Sequence, residues 1–200
     1  MLLDAHVLYL LSLWTVVFGW LGFGAIFFLQ RKRSEDQAKN IVRASIWGIA
    51  IQFIAFAAAW FIGRRPDTPI LPLGYWFHCL TALLVIVLVV GSTGMMSAAV
   101  HVLGKQWSVQ ARVLESHALI RNGPYRIVRH PIYAGMFGML LAAGLAYSHW
   151  IGFVIAATLF TIGTAIRVRI EEKLLREQFG AAFEDYVRKV PAVVPLLRRP

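Results

Sequence analysis

Charge is scarce in this 200-residue chain, at 15% of residues, where an ordinary soluble domain carries about 25%. Its distribution says more than its amount. No Asp, Glu, Lys or Arg occurs from Ala5 to Gln30, from Ala44 to Gly63, from Thr68 to Gly104, or from His130 to Ile166. A helix needs about 20 consecutive apolar residues to cross roughly 30 Å of hydrocarbon, and each tract reaches that length. These gaps exclude a soluble globular domain and predict an all-α integral membrane protein. Cysteine is also nearly absent. Cys79 stands alone, so an intrachain disulfide is excluded and the sequence does not report the redox state of its compartment. Acidic residues number 10 against 20 basic ones, for a net charge of +10. The basic residues flank apolar tracts instead of interleaving with polar ones, which fits anchoring beside anionic lipid and not nucleic-acid binding. The N-terminal MLLDAHVLYL has no basic run and carries Asp4, so the first tract reads as a retained span and not a cleaved signal peptide.

The tracts predict about five transmembrane helices. The first ends at the basic RKRSEDQAKNIVR segment, and the second ends at GRRPDTPILPLG, where Pro66, Pro69 and Pro72 break the helix. The third is expected to start near Tyr75 and to fade near Val100, with Gly91-Ser92-Thr93-Gly94 read as small-residue packing in preference to a kink. Gly19, Gly22 and Gly24 lie inside the first span and read as packing glycines. The last tract, 130–166, would make a single helix of about 55 Å, nearly twice the hydrocarbon thickness. A reversal near Tyr147-Ser148-His149-Trp150 turns it into two short spans with aromatic residues at the interface. With five spans and the N-terminus outside, 18 of the 20 basic residues fall on the cytoplasmic side, as the positive-inside rule requires. Residues 1–100 read as a three-span scaffold and 101–200 as the half that carries chemistry. A cytoplasmic-face lobe is built from 101–131 and 167–200, and the whole forms one membrane domain over 1–200.

Two polar clusters stand out. In the first, Gly123-Pro124 turns the chain before Tyr125, and Arg129-His130-Pro131 opens the fourth span, with proline at a first helical position where its missing donor costs nothing. Arg129 and His130 are either interface anchors or partners of an anion held at that helix start. The second cluster, RVRIEEKLLREQFG, continues the fifth span out of the membrane until Gly180 caps it. Arg167 and Glu171 are four apart on one face there. An isolated pair of this kind is commonly a surface ion pair. Its place where a span leaves the bilayer makes it a functional candidate. The scattered His6, His78, His101 and His149 lack metal-ligand spacing, so no metal is expected.

These residues carry a resemblance. LGKQWSVQ…ESHALIRNGPYRIVRHPIYAG, followed after about 35 residues by RVRIEEKLLREQFGAAFEDYVRKVPAVVP, resembles the isoprenylcysteine carboxyl methyltransferases and the wider group that includes phospholipid N-methyltransferases. It covers roughly 101–195, and its pieces are specific in combination and order. The resemblance implies S-adenosylmethionine as methyl donor, held by membrane helices and the lobe. It implies cofactor contacts at Gln110, His117, Ala118, Leu119, Ile120, Tyr125, His130, Pro131, Ile132, Tyr133 and Glu171. It makes Arg167 the catalytic residue facing the methyl acceptor, and it places Trp107 at an aromatic position after a Leu-Gly pair. The implied function is methylation of a lipophilic acceptor that enters from the bilayer, most readily a carboxylate of isoprenylcysteine type. The rivals are a phospholipid amine, a small thiol, or a non-catalytic membrane scaffold with a degenerate site. Methyl transfer to an anion is an in-line displacement, so catalysis would rest on positioning and removal of water.

Overall fold

The computed structural model describes residues 5–34, 45–65, 68, 70, 71, 73–104 and 118–195. Its elements are α1 (Ala5–Ser34), α2 (Ser45–Phe61), α3 (Tyr75–Leu103), a 3-10 turn (Gly123–Arg126), α4 (Pro131–Tyr147), α5 (Trp150–Phe179) and α6 (Ala181–Lys189). The described residues are therefore all-helical apart from a single antiparallel bridge between Gly63 and Ser148. Among the described residues, three stretches are long and apolar enough to cross a membrane: His6–Ile26, Tyr75–Leu103 and Trp150–Phe179. α2 and α4 are each 17 residues, about 26 Å at 1.5 Å per residue, the lower end of spanning length. Exposed Phe18, Leu21, Trp47, Phe53, Phe61, Val87 and Val90 give the helices an apolar outer surface. In water this would be unstable, but in lipid it is the expected solvent-facing side. The chain is an all-α membrane protein.

α4 is the hub. Eleven of its 17 residues are buried. Val16 of α1, Val85 and Val89 of α3 and Met139, Ala142 and Ala143 of α4 form one core. Ala55 and Ala59 of α2, Leu140 of α4 and Ala156 and Phe160 of α5 form a second. α3 pairs chiefly with α4, and α2 with α5. Lipid tails are as apolar as leucine, so such helices associate through close packing and not through a hydrophobic drive. Small residues make that packing. A Cβ on Gly138 would collide with the Ser92 hydroxyl, and one on Gly135 would come within 3.0 Å of the Ser92 carbonyl.

Two small-residue expectations hold at some positions, Ser92 and Gly19, and need correction at others. Gly91 and Gly94 face open space, with nothing within 4 Å of an added Cβ, while buried Ser92 makes the contact with α4. α3 runs unbroken through them. Gly19 does pack, against Val89 and Met139, but Gly22 meets only Thr93 at 3.8 Å and Gly24 meets nothing.

The reversal expected at 147–150 is present. α4 stops at Tyr147, α5 starts at Trp150, and the Ser148 hydroxyl donates to the Ala59 carbonyl. The last carbonyls of α4 would otherwise lack partners. The Arg64 guanidinium supplies them, donating to Leu145 and Ser148 at 2.9 Å and to Ala146 at 2.6 Å. Arg64 N and His149 N pair with the Tyr147 and Ile62 carbonyls, which ties the α2–α3 connection to the α4–α5 turn.

Candidate functional site

The site forms at the opposite end, where α4 begins and α5 continues beyond its apolar stretch. Gly123 has φ +57°, a left-handed conformation that glycine adopts without a Cβ penalty, and it starts the 3-10 turn. That turn delivers Tyr125 to the interior and the chain to Arg129, His130 and Pro131. Pro131 is the first residue of α4, as expected, and His130 precedes it without making a capping bond from its side chain. Gly180, with φ +48°, ends α5 and starts α6. α6 folds back so that Phe183 and Tyr186 are buried and the Tyr186 hydroxyl donates to the Tyr125 carbonyl at 2.6 Å. The stretch after α6 lies along the start of α4, where Arg129 N and His130 N donate to the Pro191 and Ala192 carbonyls at 2.9 Å.

The two adjacent glutamates of α5 point to different partners. Glu172 accepts from Arg129 at 2.7 and 3.0 Å and pairs with Arg176 at 3.4 Å. Arg129 also donates to the Val187 and Val190 carbonyls near the end of α6. Arg129 therefore joins the start of α4 to α5 and α6, a holding role that neither sequence-based alternative anticipated. Glu171 accepts from the Tyr133 hydroxyl and lies 3.8 Å from Arg167. His130 sits between the acids, with Nδ1 3.4 Å from Glu171 and Nε2 3.3 Å from Glu172. Burial alone would lower its pKa. The hydrogen bonds and charges of the two carboxylates outweigh that and raise it above the ordinary 6.5. Tyr125, in the turn, has its hydroxyl pKa raised by burial and then by the nearby Glu171 charge.

Arg167 is buried, at 8% side-chain exposure, against 25% for Glu171. Its guanidinium lies 4.9 Å from the Tyr133 ring centroid and donates to Gln52 Oε1 at 3.1 Å. His130 stacks with the same ring at 5.8 Å. The Tyr133 ring is thus engaged by the chain's own groups, which leaves its hydroxyl to hold Glu171.

Tyr125, His130, Tyr133, Arg167 and Glu171 are therefore brought to one place, with Pro131 and Ile132 in the first turn of α4. Ala118, Leu119 and Ile120 lie in the irregular stretch before the turn, Ala118 exposed and the others half-buried. Arg121 fixes that stretch to α6 through the Ala182 carbonyl and the Tyr186 ring. Gln110, His117 and Trp107 lie outside the described residues. Among the described residues, no cluster of three His, Cys, Asp or Glu side chains could hold a metal ion. Sequence reasoning missed Gln52 and the separate tasks of Glu171 and Glu172. The signal for Gln52 was available: it is the single amide in the apolar tract 44–63.

Known proteins resemble this chain over part of its length. Residues 79–182 match the family described as phospholipid methyltransferase. The chain is 29% identical over 103 residues to a protein-S-isoprenylcysteine O-methyltransferase of Schizosaccharomyces pombe, covering 50% of this chain and 44% of that protein. It is 31% identical over 101 residues to the one of Saccharomyces cerevisiae, covering 50% and 42%. It is 38% identical over 73 residues to a methanethiol S-methyltransferase of Bradyrhizobium diazoefficiens, covering 36% and 27%. The chain thus spans less than half the length of these relatives. The matched segment, 79–182, contains the turn, the start of α4 and the Arg167–Glu172 stretch of α5, and the chain belongs to the phospholipid methyltransferase family.

Proposed function

We propose that this protein is an S-adenosylmethionine-dependent methyltransferase whose acceptor is a lipophilic carboxylate, of isoprenylcysteine type, that enters from the bilayer. In this reading the chain spans the membrane five times, with an outside N-terminus and the site on the cytoplasmic face. The observation that carries it is the pairing on one face of α5 of an accessible carboxylate, Glu171, with a buried arginine, Arg167.

The donor set suits such a cofactor. Glu171 can accept from an ammonium or a ribose hydroxyl, and Tyr133 and His130 hold its two oxygens in place. The first-turn N–H groups of α4, which starts at Pro131, suit a carboxylate. When bound, the cofactor supplies a methyl group on a sulfonium, an electrophile that needs no further activation. The chain's own residues then do the rest. Arg167 offers a planar pair of donors that fits a carboxylate. Held by Gln52 and Tyr133, it orients the acceptor oxygen toward the methyl group. Water is kept out by burial of Arg167, His130 and Tyr125, which strengthens every charge interaction inside.

An acceptor that is already an anion needs no general base. The thiol named for the Bradyrhizobium relative would reach the same state as a thiolate and would also suit Arg167. A phospholipid amine would be repelled by that arginine and must lose a proton first. The test is transfer of labelled methyl from S-adenosylmethionine by the detergent-purified protein, offered in parallel an S-farnesylated cysteine carboxylate, a small thiol and phosphatidylethanolamine vesicles. Label on the carboxylate in preference to the amine is the expected result. Binding of cofactor without transfer to any acceptor would favour a non-catalytic protein.

A further inference from the structure

An amide inside an apolar helix is costly unless its donors and acceptor are all used. Gln52 of α2 is 2% exposed, and both ends of its amide are engaged on α5. Its Oε1 accepts from Arg167 Nη1 at 3.1 Å, and its Nε2 donates to Thr164 Oγ1 at 2.9 Å. Arginine has only donors, so the amide oxygen must face Arg167 and the NH2 must face Thr164. The orientation of the amide is therefore set by chemistry. One turn earlier on α2, a Cβ on Gly48 would collide with the Arg167 stem and lie 2.9 Å from the Gly163 carbonyl. Two residues of α2, four apart, thus shape one arginine, Gly48 leaving room for the stem and Gln52 holding the head. Tyr133 from α4 and Glu171 from α5 face it from the other elements.

We propose that Gln52 is a positioning and specificity-determining residue, fixing the Arg167 guanidinium while leaving its charge available to an anionic methyl acceptor. The inference rests on the function proposed above. Arg167 already has Glu171 at 3.8 Å. A glutamate at position 52 could make the same hydrogen bond, but the arginine would then be over-neutralised and an incoming anion repelled. A leucine would keep the charge and lose the geometry. Of these three side chains, the neutral acceptor alone orients the guanidinium without cancelling it.

The experiment compares wild type with Gln52→Leu, Gln52→Glu and the near-isosteric Thr164→Val, each as the full chain in detergent. Cofactor affinity is read by calorimetry and steady-state methyl transfer with the S-farnesylated cysteine carboxylate, phosphatidylethanolamine vesicles serving as the amine probe. Gln52→Leu should raise the KM for the carboxylate by about tenfold or more, the loss of one hydrogen bond to a charged group, with cofactor affinity kept within about twofold. Gln52→Glu should raise it further although its hydrogen bond survives, and Thr164→Val should act in the same direction more weakly. Equal effects of Leu and Glu, or changes confined to thermal midpoint with KM unaltered, would make Gln52 a packing residue and overturn the inference. A wild-type protein that methylates the amine and not the carboxylate, or neither probe, overturns the proposed function and this inference with it. Wild-type activity on the carboxylate that is untouched in all three variants overturns the inference alone.

Discussion

Replacing Glu172 by glutamine keeps its size and removes its charge, and comparison with the same change at Glu171 separates holding the site together from binding at it. Glu172 has a side chain 9% exposed and meets Arg129 at 2.7 Å, with Arg129 itself 8% exposed. Removing one member of such a buried pair commonly costs about 3–5 kcal/mol, because the other charge stays buried. Arg129 keeps the Val187 and Val190 carbonyls, which argues for the lower end, about 3 kcal/mol. For a chain of this size the thermal midpoint moves about 2–4 °C per kcal/mol, so Glu172→Gln should lower it by roughly 6–12 °C. Glu171 is more exposed and should cost less stability. In the proposed function, however, it is the partner of a cofactor cation. Losing a hydrogen bond between charged groups costs about 1.5–3 kcal/mol, which weakens binding roughly 10- to 150-fold. Thermal unfolding in detergent and calorimetric titration with S-adenosylmethionine measure the two effects. The reasoning fails if Glu172→Gln leaves the midpoint unmoved, or if Glu171→Gln binds cofactor as wild type does.

Arg64→Met removes donors to two terminal carbonyls of α4 and to the Ser148 carbonyl just after it. It should lower the midpoint while leaving cofactor affinity and turnover per folded molecule intact, and a matching fall in affinity would link the two ends of the bundle. His130 has a raised pKa in the folded state, so its charged form contributes stability fully below pH 6.5, and that stability is lost as pH rises through the folded value. The midpoint should therefore fall as pH rises above 6.5, and His130→Gln should flatten that part of the profile. For topology, Ser148 is fully buried whereas Trp150 is exposed. Trp150→Cys in a Cys79→Ser background should react with an impermeant thiol reagent from the outer face, and reaction from the cytoplasmic face alone would refute the five-span orientation.

What was legible in the sequence was what a single helix encodes. Proline at position 131 marked a helix start, Gly180 marked an end, and the excess length of 130–166 demanded a turn that Ser148 supplies. Arg167 and Glu171 were readable as a pair because four residues make them neighbours on any helix. What depends on the rotation of one helix against another was not legible. In water an amphipathic stripe shows which face turns inward. A helix that is apolar all round gives no such sign, because lipid and protein interior are equally apolar. Hence Gly91 and Gly94 looked like packing residues when Ser92 between them makes the contact. Hence also Gln52 could be noticed as an oddity but not joined to Arg167, 115 residues away. The division between Glu171 and Glu172 was hidden for the same reason: adjacent helical residues point about 100° apart, and only the position of Arg129 decides which acid it meets. The tie from Arg64 to the end of α4 was hidden because its partners are backbone carbonyls, which any residue could supply.

The central claim is that Arg167 acts on the acceptor and not on the cofactor. It is tested most directly by measuring single-turnover methyl transfer to the S-farnesylated cysteine carboxylate at saturating S-adenosylmethionine in Arg167→Ala, with Arg167→Lys beside it. The account predicts cofactor affinity close to wild type and a transfer rate reduced by about 10²-fold or more in Arg167→Ala from lost positioning. Lysine should restore part of the rate, because it keeps the charge without the planar pair of donors. Normal single-turnover transfer by Arg167→Ala, with any defect confined to cofactor affinity, would contradict it and leave Arg167 as the ion-pair partner of Glu171.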